Sequence, residues 1–251
     1  MRLSLIGLVA VLLLAGCGGG DEATTDTTTT TTAPVETTTL GVYWLYEGKV
    51  WPAMREVDET QAVATAALEE LLAGPTDEEE VQFSFSTAIP EGVELGPVSV
   101  EDGVARVRLT GDLSEEALAQ VVYTASQFPT VDSVEVNGER RTRADFEDLT
   151  PAILVESPLY FEDVGNPVRA TGTANTFEAT FQYELADTDG RVVDSGVVTA
   201  TSGSGTRGTF DFTTNEYEIP FDGVGALFVF EVSMKDGSRI HLREIPVRMA
   251  E

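Results

Sequence analysis

Residues 62–109 constrain the fold more than any other stretch, because a helical pattern and a hairpin pattern follow each other there. The first part repeats apolar residues at the i, i+3, i+4, i+7 and i+8 spacing, which predicts a helix with one buried face. We expect Asp58 or Thr60 to cap its start. Gly74 and Pro75 end it, because Gly accepts a positive φ and Pro cannot continue the helical hydrogen bonds. The predicted buried positions are Ala64, Ala67, Leu68, Leu71 and Leu72.

The second part of this stretch predicts a β-hairpin around Asp102-Gly103. Asp-Gly favours a two-residue type I′ turn, which sets the pairing of the flanking strands. The predicted opposite pairs are Val100 with Ala105, Val98 with Val107, and Gly96 with Leu109. These residues are small or apolar, whereas Ser99, Arg106 and Arg108 point to the other face. One face of the hairpin is therefore expected in the core and the other in solvent.

Local signals extend this pattern on both sides. Two β-prone runs, 41–46 and 49–55, flank a Glu-Gly turn and predict a first hairpin. Thr76 and Glu79 have the spacing of a capping box at the start of a short acidic turn. Each signal predicts a local element without any functional chemistry.

A second helix is predicted after Ser114, whose side chain is placed to cap it, and Pro129 stops it. A last strand, 133–136, ends at Asn137-Gly138. Together these elements predict a compact α+β domain over residues 40–141, with two helices covering one face of a small sheet. The expected buried stripe of the second helix is Leu118, Val121, Val122, Ala125 and Phe128.

The last hundred residues, 151–250, show only strand and turn patterns. Residues 177–185 alternate apolar and polar side chains, which is typical of a half-buried strand. Asp-Gly turns at 189–190 and 236–237 separate further β-prone runs. About seven short strands without a helical period predict a β-sandwich. The other expected strands are 192–201, 210–212, 217–221, 226–233 and 240–249.

The N-terminus has the pattern of a lipoprotein signal peptide over residues 1–16. Arg2 precedes an apolar run that is too short to span a bilayer, and Leu14-Ala-Gly-Cys17 follows directly. This arrangement resembles the lipobox of bacterial lipoproteins, in which the cysteine is acylated, so we expect lipidation at Cys17. The alternative is an ordinary secretory signal with a chance cysteine. The Thr-rich segment 17–39 has almost no apolar residues and is predicted to be a disordered tether.

Cysteine content and charge exclude several functions. Cys17 is the only cysteine, so the exported part can form no internal disulfide and no cysteine-based metal site. The formal net charge is −28, and such a surface repels polyanions. We therefore expect no nucleic-acid partner. The acidic surface itself is explained by solubility outside a cell.

The motifs of residues 41–141 resemble the GerMN domain, a module of sporulation and spore-germination proteins. The residues from 151 onward resemble the immunoglobulin-like domain of bacterial spore-germination proteins, which is often fused behind a GerMN module. What the resemblance implies is a non-enzymatic extracytoplasmic protein without catalytic residues. The matching segments are 71–75, 87–92, 104–107, 120–124 and 127–129 in the first domain, and 156–158, 166–174, 177–179 and 208–210 in the second.

The sequence offers little for an enzyme. His241 is the only histidine and lies in an alternating run, where we expect it to face solvent beside Arg243 and opposite Ile240 and Leu242. Acidic pairs such as Glu69-Glu70 and Glu115-Glu116 lie on polar helix faces or at helix starts, so they predict no glycosidase site. The Asp-rich run 187–190 lacks the spacing of a calcium loop and is interpreted as a β-turn. We expect no catalytic residue, no metal site and no cofactor.

These observations favour a lipid-anchored protein on the outer face of the bacterial cytoplasmic membrane. Its expected contacts are membrane lipid through Cys17, and other envelope proteins, peptidoglycan or copies of itself. A receptor for a wall fragment or cation is the alternative, and a wall hydrolase is less favoured. The exposed hairpin face with Ser99, Arg106 and Arg108 is the predicted interaction surface, because positive charges are rare in this chain.

Overall fold

The computed structural model describes residues 36–250. The predictions for the signal peptide and for Cys17 lie outside the described residues. The first described strand begins at Thr37, so the last three threonines of the predicted tether, 37–39, belong to a strand. Among the described residues, no helix combines the length and apolar character needed to cross a membrane.

The chain opens with a long antiparallel hairpin, as predicted. Strand β1 (Thr37–Tyr46) pairs with β2 (Lys49–Asp58) around the Glu47-Gly48 turn. The middle of this hairpin is buried on both sides, and Trp44 pairs with Trp51 across it. The hairpin therefore lies inside the molecule and is covered by elements of both the first and the second half of the described residues.

Three α-helices follow in the first half: α1 (Val63–Ala73), α2 (Asp77–Phe83) and α3 (Glu115–Ala125). Gly74 ends α1 with φ of 87°, as its position predicted. The capping box of Thr76 and Glu79 and the Ser114 cap are both present. The predicted cap of α1 is wrong. Asp58 belongs to β2, and the Thr60 hydroxyl accepts a hydrogen bond from the Ala62 amide in the turn before the helix.

Helix α3 is buried more completely than its stripe predicted. It packs against α1, β1 and the 3₁₀ segment Arg143–Leu149, which cover several of its faces. Gln120 and Thr124, which a single-face pattern places outside, are buried and hydrogen-bond to the hairpin. Leu118 and Phe128, two of the predicted stripe residues, are only partly buried.

A four-stranded sheet completes the first half, in the order β3 (Ser99–Glu101), β4 (Val104–Val107), β5 (Ser133–Val136) and β6 (Glu139–Arg141). Strands β4 and β5 are parallel, and the other neighbours are antiparallel. The Asp102-Gly103 turn has positive φ at both residues, 50° and 77°, as a type I′ turn requires. Val100 pairs with Ala105 as predicted, but Val100 is 40% exposed.

The far end of this second hairpin departs from the predicted pairing. Leu109 forms a bridge with Leu95, not with Gly96. The regular pairing of β3 with β4 ends at Ser99 and Arg106. Between that pair and the Leu95–Leu109 bridge, the segment before β3 has one residue more than the segment after β4. A turn sets the register only over the ladder that it closes, which explains the error.

The second half is a sandwich of two sheets, as predicted. The strands are β7 (Ile153–Ser157), β8 (Asp163–Val164), β9 (Arg169–Ala174), β10 (Thr180–Ala186), β11 (Val192–Thr199), β12 (Gly208–Thr213), β13 (Gly223–Val232) and β14 (Arg239–Met249). One sheet has the order β11-β10-β13-β14-β8, and the other has the order β12-β9-β7. Their inner faces supply the buried aromatic and aliphatic side chains of this half.

Two predicted strand segments are wrong. Residues Phe177–Ala179 form a 3₁₀ turn with positive φ at Glu178 and Ala179, so β10 starts only at Thr180. Phe177 is 60% exposed because this turn takes it out of the alternation. Residues 217–221 form no strand. Tyr217 is instead held by Asn166, whose amide donates to its carbonyl and whose carbonyl accepts from its amide.

The two halves share one hydrophobic core. It runs from the hairpin and α3 into the sandwich through Ile153, Leu154 and Tyr160. Phe83, Phe85, Tyr160 and Phe161 meet edge to face or tilted across this joint, with ring centroids 5.4–6.2 Å apart. The described chain is thus one packed body rather than two domains on a flexible link.

Candidate functional site

A cleft of about 390 Å³ opens at the joint between the two halves. Its walls come from the β1–β2 turn, the end of the 3₁₀ segment Arg143–Leu149, the start of β7, and the middle of β14. A concave site of this size at a domain junction is the usual setting for a small ligand. The site is built from residues that are up to about 200 positions apart, so only the fold brings them together.

Arg243 of β14 occupies the inner end of the cleft. Its guanidinium carbon lies 3.8 Å from the ring centroid of Tyr46, 4.7 Å from Trp51, 5.2 Å from Tyr160 and 5.8 Å from Phe85. Rings at these distances attract a cation through their negative faces, by up to about 2 kcal/mol each in a desolvated site. The cage brings an arginine of the sandwich into contact with aromatic rings of the hairpin.

The Arg243 cage lacks a counter-charge. Arg243 is 9% exposed, and its Nε is buried without a hydrogen-bond acceptor. No carboxylate of the described residues lies within ion-pair distance of it. Burial raises the pKa of the neighbouring Tyr160 hydroxyl, and the Arg243 charge offsets part of that rise, so the hydroxyl stays neutral. The guanidinium therefore faces aromatic rings and a neutral hydroxyl.

Arg207 and Glu147 form a paired wall of the cleft. Arg207 donates from Nε to Glu147 Oε2 at 2.8 Å and from Nη2 to Oε1 at 3.1 Å. Asn175 donates to the same carboxylate at 2.8 Å. Burial alone would raise the pKa of Glu147, but these hydrogen bonds outweigh it and lower the pKa. Glu147 is thus an ionised carboxylate whose charge Arg207 already neutralises.

Lys49 stands at the mouth of the cleft on the first residue of β2. Its ammonium donates to the Asp148 carbonyl, and its charge helps to lower the pKa of the nearby Glu147 carboxyl, although the two form no ion pair within 4 Å. The lining thus carries three basic side chains, Lys49, Arg207 and Arg243, against the carboxylates Glu47 and Glu147. In a chain of net charge −28, this is a local excess of positive charge.

A second arginine, Arg143, also connects the two halves of the molecule. Arg143 donates from Nη1 to Glu156 Oε1 at 2.5 Å and from Nε to the Ser126 hydroxyl at 2.8 Å. Its guanidinium also lies over the rings of Tyr43 and Tyr123, at 5.6 and 4.7 Å. Burial raises the pKa of Tyr43, and the adjacent Glu156 charge raises it further, so the hydroxyl stays a donor to that carboxylate. This cluster is fully satisfied.

His241 lies at the edge of the cleft and is half exposed, so it faces solvent as predicted, but it does not share a face with Arg243. A β-bulge in β14 puts one extra residue between the partners of Val229 and Glu231, and His241 takes a positive φ of 54°. The bulge separates it from Arg243, which is buried. Its Nε2 lies 3.5 Å from Glu231 Oε2. An exposed imidazole beside one carboxylate does not make a nucleophilic triad.

The predicted surface of Ser99, Arg106 and Arg108 lies elsewhere, on the four-stranded sheet. Ser99 and Arg106 pair across β3 and β4, and all three residues are exposed as expected. Arg106 forms an ion pair with Glu101 at 2.9 Å. None of the three lines the cleft, and their role in binding stays a prediction.

The acidic runs are explained by local structure. Glu79 caps its own helix and receives two hydrogen bonds from Arg55. Asp187 accepts the amides of Asp189 and Arg191, which closes the predicted turn. In residues 36–250, no three metal-binding side chains come together.

The roles of Arg243, Lys49 and the aromatic cage were not predicted from the sequence. One signal was present: lysine is rare here, at positions 49 and 235, and Lys49 directly follows a hairpin turn and precedes a tryptophan by two residues. No local pattern marks Arg243 as buried, because its surroundings come from distant segments.

The fold and the joint define the class: an α+β domain fused to an immunoglobulin-like sandwich. Residues 20–142 match the family described as "Sporulation and spore germination", and residues 152–238 match the "Immunoglobulin-like domain of bacterial spore germination". The chain therefore carries two domains of the kinds found in spore-germination proteins. Both families are of a non-catalytic type, which supports an interaction module of the cell envelope.

Solved structures give two distant likenesses. The tandem GerMN domains of the sporulation protein GerM from Bacillus subtilis are 28% identical, with a TM-score of 0.35 over 43% of this chain and 43% of that one. A Clostridium perfringens protein described as a candidate lipoprotein is 16% identical, with a TM-score of 0.30 over 48% of this chain and 98% of that one. The match spans less than half of the GerM structure. The curated proteins contain no significant match.

Proposed function

We propose that this protein is a non-enzymatic, lipid-anchored module on the outer face of the bacterial cytoplasmic membrane. It acts by binding other envelope components or by self-assembly. The lipobox-like sequence ending at Cys17 supports the anchor, and the two spore-germination domains support the envelope role. Acylation with more than one chain makes such an anchor stable.

The packed joint is the observation that carries the proposal. The GerMN-type half and the sandwich share a core, and two arginines cross between them, Arg143 and Arg243. A joint of this kind holds both domains in one orientation, whereas small polar joints permit hinge motion. A rigid two-domain body on a long N-terminal tether would hold its binding surfaces in a fixed arrangement, within reach of partners in the envelope.

The side chains of residues 36–250 also favour binding over catalysis. The histidine is paired with a single carboxylate, and the acidic pairs are accounted for by caps and ion pairs. A wall hydrolase would use two carboxylates facing a common cleft. At the cleft described above, Glu147 is already neutralised by Arg207. The cleft itself favours the alternative of a ligand receptor.

Replacing the anchor residue tests the proposal. Cys17→Ser removes the thiol that would be acylated, so the protein is expected to move from the membrane fraction to the soluble extracytoplasmic fraction. The measurement is cell fractionation with immunoblotting, together with metabolic labelling by a fatty acid. Thr30→Ala, in the Thr-rich run, is the matched control and should stay labelled and membrane-bound.

Continued membrane retention and labelling of the Cys17→Ser protein would overturn the anchor. Cross-linking of the anchored wild-type protein on whole cells tests the second half of the proposal. Discrete cross-linked species, either oligomers or complexes, are expected. A protein that stays monomeric and alone at all cross-linker concentrations would contradict the interaction role.

A further inference from the structure

We propose that the cleft at the joint binds a small ligand with a free carboxylate on a compact apolar body, such as the C-terminus of a short peptide. The carboxylate is placed between the Lys49 ammonium and the Arg243 guanidinium. This inference goes beyond the proposed function, because anchoring and assembly do not require a small ligand.

The first argument is the missing acceptor at Arg243. A buried hydrogen-bond donor without a partner destabilises the protein, and the cost is larger when the donor is charged. Arg243 is more than nine-tenths buried, its Nε has no acceptor, and its guanidinium has no carboxylate partner within the described chain. Aromatic rings attract the charge but accept no strong hydrogen bond, and the neutral Tyr160 hydroxyl accepts from the guanidinium without supplying a counter-charge. An anion entering the cleft would supply the missing counter-charge.

The second argument is a second cation on the same cleft. Lys49 has three ammonium donors, of which one hydrogen-bonds to the Asp148 carbonyl, and its charge also acts on the nearby Glu147 carboxylate. The β1–β2 register pairs Lys49 with Tyr46, the ring closest to Arg243. Two cations of different geometry therefore stand on the same wall. Carboxylates are commonly held by such charge-assisted hydrogen bonds.

The rest of the wall limits the ligand to something with an apolar part. Tyr46, Trp51, Ile153 and Leu242 line the same space. A volume of about 390 Å³ holds a ligand of roughly dipeptide size and no polymer chain. A divalent cation is disfavoured here because the lining carries three basic side chains against two carboxylates.

Arg207 also lines the cleft, but we do not expect it to contact the carboxylate of the ligand. Four of the five N–H donors of its guanidinium are used by Glu147, Thr173 and the Pro151 carbonyl. The ionised Glu147 beside it would repel a second negative group. The site is therefore expected to accept one carboxylate and to reject dianions such as inorganic phosphate.

Titration with N-acetylglycyl-alanine tests the proposal, using its C-terminal amide and inorganic phosphate as comparison probes. The purified full chain is used. Its two tryptophans give two indole ¹⁵N–¹H signals, and Trp51→Phe assigns them. Trp51 lines the cleft, whereas Trp44 is fully buried in the core. We expect the carboxylate peptide to shift the Trp51 signal, and to bind at least tenfold more tightly than the amide or phosphate.

Lys49→Ala is expected to weaken binding of the carboxylate peptide about tenfold, measured by calorimetry, and Lys49→Arg should restore most of it. The matched control is Lys235→Ala, the other lysine, which lines a different surface and should change nothing. Lys49 is on the rim, so its removal leaves the aromatic cage intact, which an unchanged melting temperature checks.

Several outcomes would overturn the proposal. These are an unmoved Trp51 signal at millimolar peptide, equal binding of peptide and amide, equal effects of Lys49→Ala and Lys235→Ala, or phosphate binding as tight as the peptide. None of them affects the fractionation or cross-linking results, so this inference and the proposed function fail separately.

Discussion

Arg143 and Arg243 both connect the two halves of the molecule, but only Arg143 has a carboxylate partner. Arg143 lies over two tyrosine rings and is also paired with Glu156, the Ser126 hydroxyl and the Tyr123 carbonyl. Arg243 lies against four aromatic rings and has no carboxylate partner in residues 36–250. Each is held by aromatic side chains, and they differ in how their charge and hydrogen bonds are satisfied.

The difference separates a structural contact from a binding contact. A partly buried ion pair with complete hydrogen bonds, such as Arg143 with Glu156, is costly to break, because the remaining partner is left charged and unpaired. A buried cation without a counter-ion contributes less to the stability of the fold, and it can still pair with an anion. This contrast assigns Arg143 to the structural connection between the two halves and makes Arg243 the candidate for ligand contact.

The largest expected effect is at the satisfied arginine. Arg143→Met should lower the free energy of unfolding by about 3 kcal/mol, because Glu156 and the Tyr43 hydroxyl lose their cation. Chemical denaturation followed by circular dichroism measures this. Arg169→Met, which breaks an exposed pair with Asp211, is the control and should cause little change. A loss no larger than that of the control would remove the contrast between the two sites.

A third arginine, Arg55, extends the comparison to acid pH. It lies over Trp44 and donates to both oxygens of Glu79. Burial would raise the pKa of Glu79, but the hydrogen bonds from Arg55 and Thr76 outweigh it and lower the pKa. The stabilisation by Glu79 is therefore present above its pKa in the unfolded chain and is lost as pH falls through the folded pKa.

Glu79→Gln should cost about 2 kcal/mol at pH 7, since hydrogen bonds to a charged group are replaced by neutral ones. The cost should shrink as pH falls below about 4, the range in which unfolded glutamates take up protons. Denaturation curves at pH 7 and pH 3 measure the difference. An equal cost at both pH values would show that Glu79 contributes by packing and not by charge.

The smallest effect is expected at the unsatisfied arginine. Arg243→Met should change stability by about 1 kcal/mol or less, because the lost attraction to the rings is offset by the relief of a buried unpaired charge, and Met packs well against aromatic rings. The same denaturation experiment applies. A loss as large as that of Arg143→Met would mean that Arg243 is a structural tie, and would weaken the case for a ligand at the cleft.

Sequence patterns predicted most of the fold because most of its elements are locally encoded. The capping box of Thr76 and Glu79, the stop at Gly74 and the Asp-Gly turns depend on residues within four positions of each other. The errors fall where a neighbour from elsewhere intervenes. Phe177 leaves its alternation at a 3₁₀ turn, and the bulge at His241 breaks the face that alternation assigned to it.

The sequence by itself determined the class of the protein: an acidic chain with a lipobox-like N-terminus, an α+β domain and a β-sandwich of the spore-germination type. Only the tertiary structure decided how far each charge is shielded from solvent and what it pairs with. Arg143, Arg207 and Arg243 are alike as letters, but their partners lie 13, 60 and up to about 200 residues away. Burial and pairing of a charge depend on such distant neighbours, which is why the cleft at the joint emerged from the fold alone.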